Sequence, residues 1–299
     1  MKRYCLITAI FMVAWFAGQT PALCGEGRLR VFVSIIPQKY FVEKIGGEFV
    51  EVSVMVHPGA SPAVYEPKAA QMVALSGARV YFAVGVPFES VWLERIMAAN
   101  PALIVVPTEK GIQKRAMRGY HSEEQGIAIT KKRHDHQLRD PHIWLSPPLV
   151  MVLVRNILDA LCRIDPSHSA AYETNYKQFI IELVELDIEI MKVFAGHGRG
   201  MAFMVFHPAW GYFAEAYGLE QLPIEMEGKE PKPAELQGLI KHAQRRGIRI
   251  IFVQPQFSAK SAKTIAKAIG GEVAYADPLA PDWAENLRKQ AAIFERALR

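Results

Sequence analysis

The stretch Leu29-Arg30-Val31-Phe32-Val33-Ser34-Ile35-Ile36-Pro37 decides the fold. It is an apolar run that stops at a proline, as expected of a strand buried on both faces of a parallel sheet. Residues 38–45 follow as a helix, stopped by Gly46-Gly47. Residues 50–56 alternate in polarity and read as a second strand. Helices over 67–76 and 88–98 then alternate with strands over 79–84 and 102–106. Alternation of this kind predicts βαβ units, with helices covering both faces of the sheet.

Between residues 109 and 139 the periodicity disappears and charge dominates, so this segment reads as a long surface loop. Helices resume over 147–163 and from Asp165-Pro166-Ser167 to about Phe194. Tyr172, Tyr176, Phe179, Ile180, Leu183, Leu186, Ile190 and Phe194 keep helical spacing along the second. The strand-helix alternation then restarts, with strands over 201–206, 219–224, 248–253 and 273–275. The expected architecture is two parallel-sheet α/β lobes joined by one long rigid backbone helix. The expected division is an N-terminal lobe over 25–166, a linking helix over 167–195 and a C-terminal lobe over 196–299.

The first 24 residues stand outside this pattern. Lys2 and Arg3 precede an apolar run over 4–17, followed by small residues and Pro21, the layout of a secretory signal peptide. The run is short for a membrane span, which needs about 20 residues. Cys24 raises the question of a lipid anchor, but Leu23 is a poor residue immediately before a lipidated cysteine. With Cys5 and Cys24 in the leader, Cys162 is left alone, expected buried, and no disulfide framework exists. At 51% hydrophobic content the chain can build two ordinary cores. The formal charge of +5 falls to +3 without Lys2 and Arg3, too mild a balance to argue for nucleic acid.

Three polar residues sit where open parallel sheets bind ligands, outside the carboxyl ends of strands, or on a stiff corner. His207 follows the strand over 201–206 and precedes Pro208, and Asp277 follows the strand over 273–275 and precedes Pro278. His142 lies in Asp140-Pro141-His142-Ile143-Trp144, where Pro141 fixes the backbone and Ser146 is placed to cap the next helix. Each has a plainer reading: a turn histidine bonded to backbone, a core histidine, an Asp-Pro turn former. Together they offer two imidazoles and one carboxylate, a donor set that suits Zn²⁺ first and admits Mn²⁺ or Fe²⁺. His121, His168, His197 and His242 carry weaker signals: a lone loop residue, two exposed helix positions and a helix cap. Glu225 and Glu227 read as turn residues.

Several stretches now make a resemblance specific. They are Ser34-Ile35-Ile36-Pro37, Pro58-Gly59-Ala60-Ser61-Pro62 with Tyr65-Glu66-Pro67, Asp140-Pro141-His142-Ile143-Trp144, His207-Pro208-Ala209-Trp210-Gly211-Tyr212-Phe213 and Asp277-Pro278-Leu279. Through them the chain resembles the periplasmic solute-binding proteins of zinc and manganese ABC transporters, metal-binding cluster A-I type, zinc branch. The resemblance covers essentially the whole chain after the leader. It implies a non-enzymatic, monomeric, periplasmic protein that captures Zn²⁺, or Mn²⁺, between its lobes and delivers it to a membrane ABC permease. It implies metal ligation by His142, His207 and Asp277. It also likens the loop containing His134-Asp135-His136 to the His-rich loop of the zinc branch, thought to gather zinc near the cleft.

The departures matter as much. Family members usually carry a histidine ligand after the second proline of the Pro-Gly motif, and this chain has Ala63 there. Where they often have Glu, it has Gln254, removing a nearby carboxylate. The fourth position therefore falls to water, His57, Glu66 or a loop histidine such as His134 or His136. An exported zinc hydrolase, or a binder of a metal chelate on the same fold, are the alternatives.

Overall fold

The computed structural model describes residues 27–117, 139–225 and 229–298. The first lobe runs β1 (Leu29–Val33), α1 (Ile36–Gly46), β2 (Val50–Val54), α2 (Ala69–Leu75), β3 (Val80–Ala83), α3 (Pro87–Ala99) and β4 (Ile104–Pro107). Its four strands are all parallel, in the order β2-β1-β3-β4. The opening apolar run breaks at Ser34 because the Gln38 Oε1 accepts from the backbone N–H of Ser34 (3.0 Å) and of Ile35 (3.3 Å), bending the chain into α1. Helix α2 starts two residues later than expected. Pro67 keeps Glu66 extended, and the Gln71 Oε1 accepts from the Lys68 N–H at 2.9 Å. Glu66 therefore does not cap this helix.

Past a short turn at Ile143–Leu145 come α4 (Pro147–Ile164) and α5 (Ser169–Phe194). Ser146 holds the N-cap position of α4, but its hydroxyl makes no capping bond, so Pro147 and the backbone start that helix. At 26 residues α5 is about 39 Å long. It packs on α1 and α4 of the first lobe and on the last helix of the second. The second lobe runs β5 (Met201–Val205), α6 (Gly211–Ala216), β6 (Leu219–Pro223), α7 (Pro233–Arg245), β7 (Ile250–Val253), α8 (Lys260–Ile269), β8 (Glu272–Tyr275) and α9 (Trp283–Ala297). Its strands are again all parallel and ordered β6-β5-β7-β8, the arrangement of the first sheet repeated. Among the described residues no helix is long and apolar enough to cross a membrane.

The lobes are not independent. One core runs from β1–β4 through α4 and α5 to Phe203, Phe252 and Phe294 of the second lobe. Trp283 of α9 is buried against Phe41 of α1, ring centroids 5.0 Å apart, and its Nε1–H donates to the Trp144 carbonyl at 2.7 Å. Trp144 in turn donates from Nε1 to the Pro278 carbonyl at 2.8 Å. These contacts leave little room for the lobes to swing apart.

The leader (1–24), with Cys5 and Cys24, and the part of the charged loop holding His121, His134 and His136 lie outside the described residues, as does Glu227. The loop's two feet are described. Ala116 and Arg139 form an antiparallel bridge, and the Asp140 N–H donates to the Arg115 carbonyl at 2.9 Å, so the loop emerges beside His142. Four minor expectations need correction. His242 is half-buried rather than exposed. Cys162 is half-buried rather than buried. His168 is not simply exposed: it sits 2.8 Å from Asp165 and stacks on Phe49. The His197 side chain reaches Glu295 of α9 at 3.4 Å instead of capping α5.

Candidate metal centre

The carboxyl end of β5 delivers His207 to the crevice between β5 and β7, the point where strand order reverses and open sheets bind ligands. The equivalent crevice of the first lobe is filled by its own side chains, Ser34, Gln38, Tyr81 and Glu89, which bond to one another and to backbone. In the second lobe Gln254, fully buried beyond β7, clamps the backbone of His207. Its Oε1 accepts from the His207 N–H (3.1 Å) and its Nε2 donates to the His207 carbonyl (2.7 Å). A glutamate could accept the first bond but could not donate the second. Gln254 therefore positions the histidine, rather than marking only a missing carboxylate.

The carboxylate behind this histidine is Glu225. It is buried just beyond β6, with Oε1 2.9 Å from His207 Nδ1, an ion-pair distance though not aligned as a hydrogen bond. Glu225 is thus no turn residue. Its position after a strand end, two residues past Pro223, is the same signal that singled out Asp277. Phe257 covers the other side of the His207 ring, stacked at 4.7 Å.

His142 is built the same way from the other side. Asp140, almost fully buried, accepts through Oδ1 from the His142 backbone N–H (3.0 Å) and lies 2.8 Å from its Nδ1. The Tyr212 hydroxyl donates to the Asp140 carbonyl at 3.0 Å and accepts from the Arg115 N–H at 2.9 Å, tying the foot of the charged loop to the second lobe. Burial pushes the His142 imidazole below its ordinary pKa, against the opposing pull of Asp140. A neutral ring with its Nδ1 hydrogen directed at Asp140 leaves the Nε2 lone pair free for a metal.

The two rings converge across the lobes: His142 Nε2 lies 3.3 Å from His207 Nε2. Two nitrogens on a tetrahedral Zn²⁺ with arms of about 2.05 Å are separated by roughly 3.3 Å. The pair already holds the spacing of one tetrahedron edge. The spacing is compatible with two ligands of one zinc ion, and equally with a hydrogen bond between the two rings.

Asp277 is not part of that pair. Its Oδ1 accepts from the Gln256 Nε2 (3.0 Å) and the Leu279 N–H (2.9 Å). Among the described residues no three His, Cys, Asp or Glu side chains close on one point. Asp277 instead lines an interlobe cleft of about 550 Å³ with Gln256, Tyr40, His57, Pro58 and Gly59. His57 thus faces the same cleft as Asp277, while Ala63 and Glu66 are exposed on the loop beyond it. Replacing Glu225 by Gln is expected to weaken zinc binding about 10- to 100-fold, the usual cost of losing a carboxylate behind a ligating imidazole. Competitive titration with a zinc chromophore measures it, and an unchanged affinity would remove Glu225 from the site.

Residues 31–297 match the family model described as the periplasmic component A of the zinc-uptake complex. The chain is 27% identical over 294 residues to the zinc-binding protein AdcA of Streptococcus pyogenes, across 93% of this chain and 56% of that protein. It therefore spans little more than half the length of that relative. It is 28% identical over 250 residues to the high-affinity zinc uptake system protein ZnuA of Bacillus subtilis, across 82% of this chain and 76% of that protein. A crystal structure of ZnuA superposes with a TM-score of 0.83 at 39% identity, covering 91% of this chain and all of the other.

Proposed function

Because the chain belongs to the family of periplasmic component A of zinc-uptake complexes, we propose that it captures Zn²⁺ between its lobes and hands it to a membrane ABC permease. The ion is cargo, not a resident cofactor. The observation that carries this reading is the 3.3 Å approach of His142 Nε2 to His207 Nε2, each ring backed at Nδ1 by a buried carboxylate. Asp277 is the third ligand in this reading, turning from Gln256 toward the histidine pair when zinc arrives. Water or a cleft residue such as His57 fills the position that Ala63 leaves open. Nitrogen donors in the majority favour Zn²⁺ over Mn²⁺.

Export fits the same reading, with residues 1–24 as the signal, the protein monomeric in the periplasm and Cys24 unlipidated. The continuous core and the Trp283–Trp144–Pro278 chain of bonds support capture by local rearrangement at the cleft rather than by wide lobe closure. Release then requires the permease to favour a state that binds zinc less well. A hydrolase would also use three protein ligands and an open position. Here, however, Asp140 and Glu225 lie behind the rings at Nδ1, on the side away from Nε2, where a general base has no access to a metal-bound water.

The test is zinc content and competitive titration of the chain from Gly25 onward, wild type against Asp277→Ala. Stoichiometric binding, weakened at least tenfold by the substitution, is expected. Affinity unchanged in Asp277→Ala removes that ligand, and sustained ester turnover at low protein concentration overturns the transport reading.

A further inference from the structure

The second lobe carries a separate surface. Residues 229–271 contain nine Lys and Arg against two Glu, a net formal charge of +7, larger than the +5 of the whole chain. The rest of the molecule is therefore net negative, and the mild overall balance conceals a strong segregation. All nine basic side chains, from Lys229 and Lys232 through Lys241 to Lys260, Lys263 and Lys267, are exposed.

The topology puts the five of these charges that lie on α7 and α8 (Lys241, Arg245, Lys260, Lys263 and Lys267) on one side. In the order β6-β5-β7-β8, the crossovers β6-α7-β7 and β7-α8-β8 advance in the same direction, so right-handed connections place α7 and α8 on the same face of the sheet. The packing agrees. Leu239 and Ala243 of α7 and Ala262, Ile265 and Ala266 of α8 share a core with Met204, Phe206, Ile251 and Val253, distinct from the core that joins the lobes. The two helices are thus the outer layer of the molecule, and their solvent sides form one surface. On α8, Lys260, Lys263 and Lys267 recur at helical spacing along a single stripe, and Lys241 and Arg245 do so on α7.

We infer that the outer face of α7 and α8 docks electrostatically on an anionic phospholipid surface. A lipid surface fits better than an acidic protein because none of the large apolar side chains exposed among the described residues comes from this segment. Protein interfaces draw their affinity from buried aromatic and apolar anchors, whereas a diffuse field of long lysines matches headgroups spread over a plane, as clusters of four to eight basic residues do. Such docking keeps a zinc carrier near the bilayer in which a permease resides. It does not depend on the identity of the cargo.

The experiment uses the chain from Gly25 onward, which retains every described residue, in flotation with vesicles of phosphatidylglycerol and cardiolipin or of phosphatidylcholine alone. Binding to the anionic vesicles only is expected, lost on raising salt from about 50 to 300 mM as exposed charges are screened. The variant Lys241→Glu/Lys263→Glu/Lys267→Glu is expected to bind anionic vesicles at least about tenfold more weakly, while its zinc titration stays that of the wild type. Equal binding to both vesicle types, or a variant that floats like the wild type, overturns the inference. Lysine-dependent capture by permease in neutral nanodiscs, without binding to anionic vesicles, assigns the surface to a protein partner and also overturns it.

Discussion

Replacing His207 by alanine is expected to lower zinc affinity by more than about 100-fold, beyond the 10- to 100-fold typical of losing a residue behind a ligand. The substitution removes one of the two nitrogens that already stand a tetrahedron edge apart. What remains is His142, with Asp277 bonded instead to Gln256 and the Leu279 N–H, and one imidazole cannot chelate. It also leaves the buried Glu225 carboxylate without the ring that stands 2.9 Å from it, a cost to the fold in its own right. His207→Gln keeps a polar group facing Glu225 and separates the two effects. His142→Ala is expected to give a loss of similar size, and the double variant little more than either, because the two rings act as one unit. Competitive titration with a zinc chromophore reads all four proteins. Wild-type affinity in either alanine variant would remove the pair from the binding site.

The largest expected loss of stability comes from Trp283→Ala. The indole is buried between α1 and the turn after His142, edge-on to Phe41, and its Nε1–H bonds the Trp144 carbonyl. Removing a buried aromatic of this size costs about 3–5 kcal/mol. At roughly 2–4 °C per kcal/mol for a chain of this size, Tm should fall by about 6–20 °C in calorimetry. Trp283→Phe fills much of the cavity but leaves the Trp144 carbonyl without its donor, so it should recover most of the Tm and leave a smaller deficit. A loss confined to a degree or two for Trp283→Ala would mean that the junction between the lobes is not held by this side chain. Because Trp144 follows His142 by two residues, the alanine variant should also loosen the metal corner, seen as weaker zinc binding at temperatures where the fold is intact.

Much of the architecture was legible in the chain. Parallel strands covered on both faces must be nearly continuous in apolar residues, and the stretches opening at Leu29, Arg79, Met201 and Ile248 declare themselves that way. Element ends moved where a single side chain intervened, as Gln38 does at Ser34 and Gln71 does before Ala69. In the centre, the proline-braced corner at His142 and the strand end at His207 were readable because stiff backbone beside an imidazole leaves a local mark. Glu225 carries the same mark but fits a turn equally well, and nothing local to Gln254 shows that it clamps His207. Their roles depend on partners 18 and 47 residues from them in sequence.

The sequence by itself determined two parallel α/β lobes, a long connecting helix and three candidate donors, because strand and helix periodicity and proline geometry are properties of neighbouring residues. The tertiary structure alone decided that the Nε2 atoms of His142 and His207 meet 3.3 Å apart, that Asp140 and Glu225 stand behind them and that Asp277 keeps to the cleft. It alone gathered the basic residues of α7 and α8 onto one outer face. The reason is physical: which side chains share a point is set by how two sheets are pressed together across a common core. That arrangement depends on packing among residues from every part of the chain and leaves no trace in any one stretch.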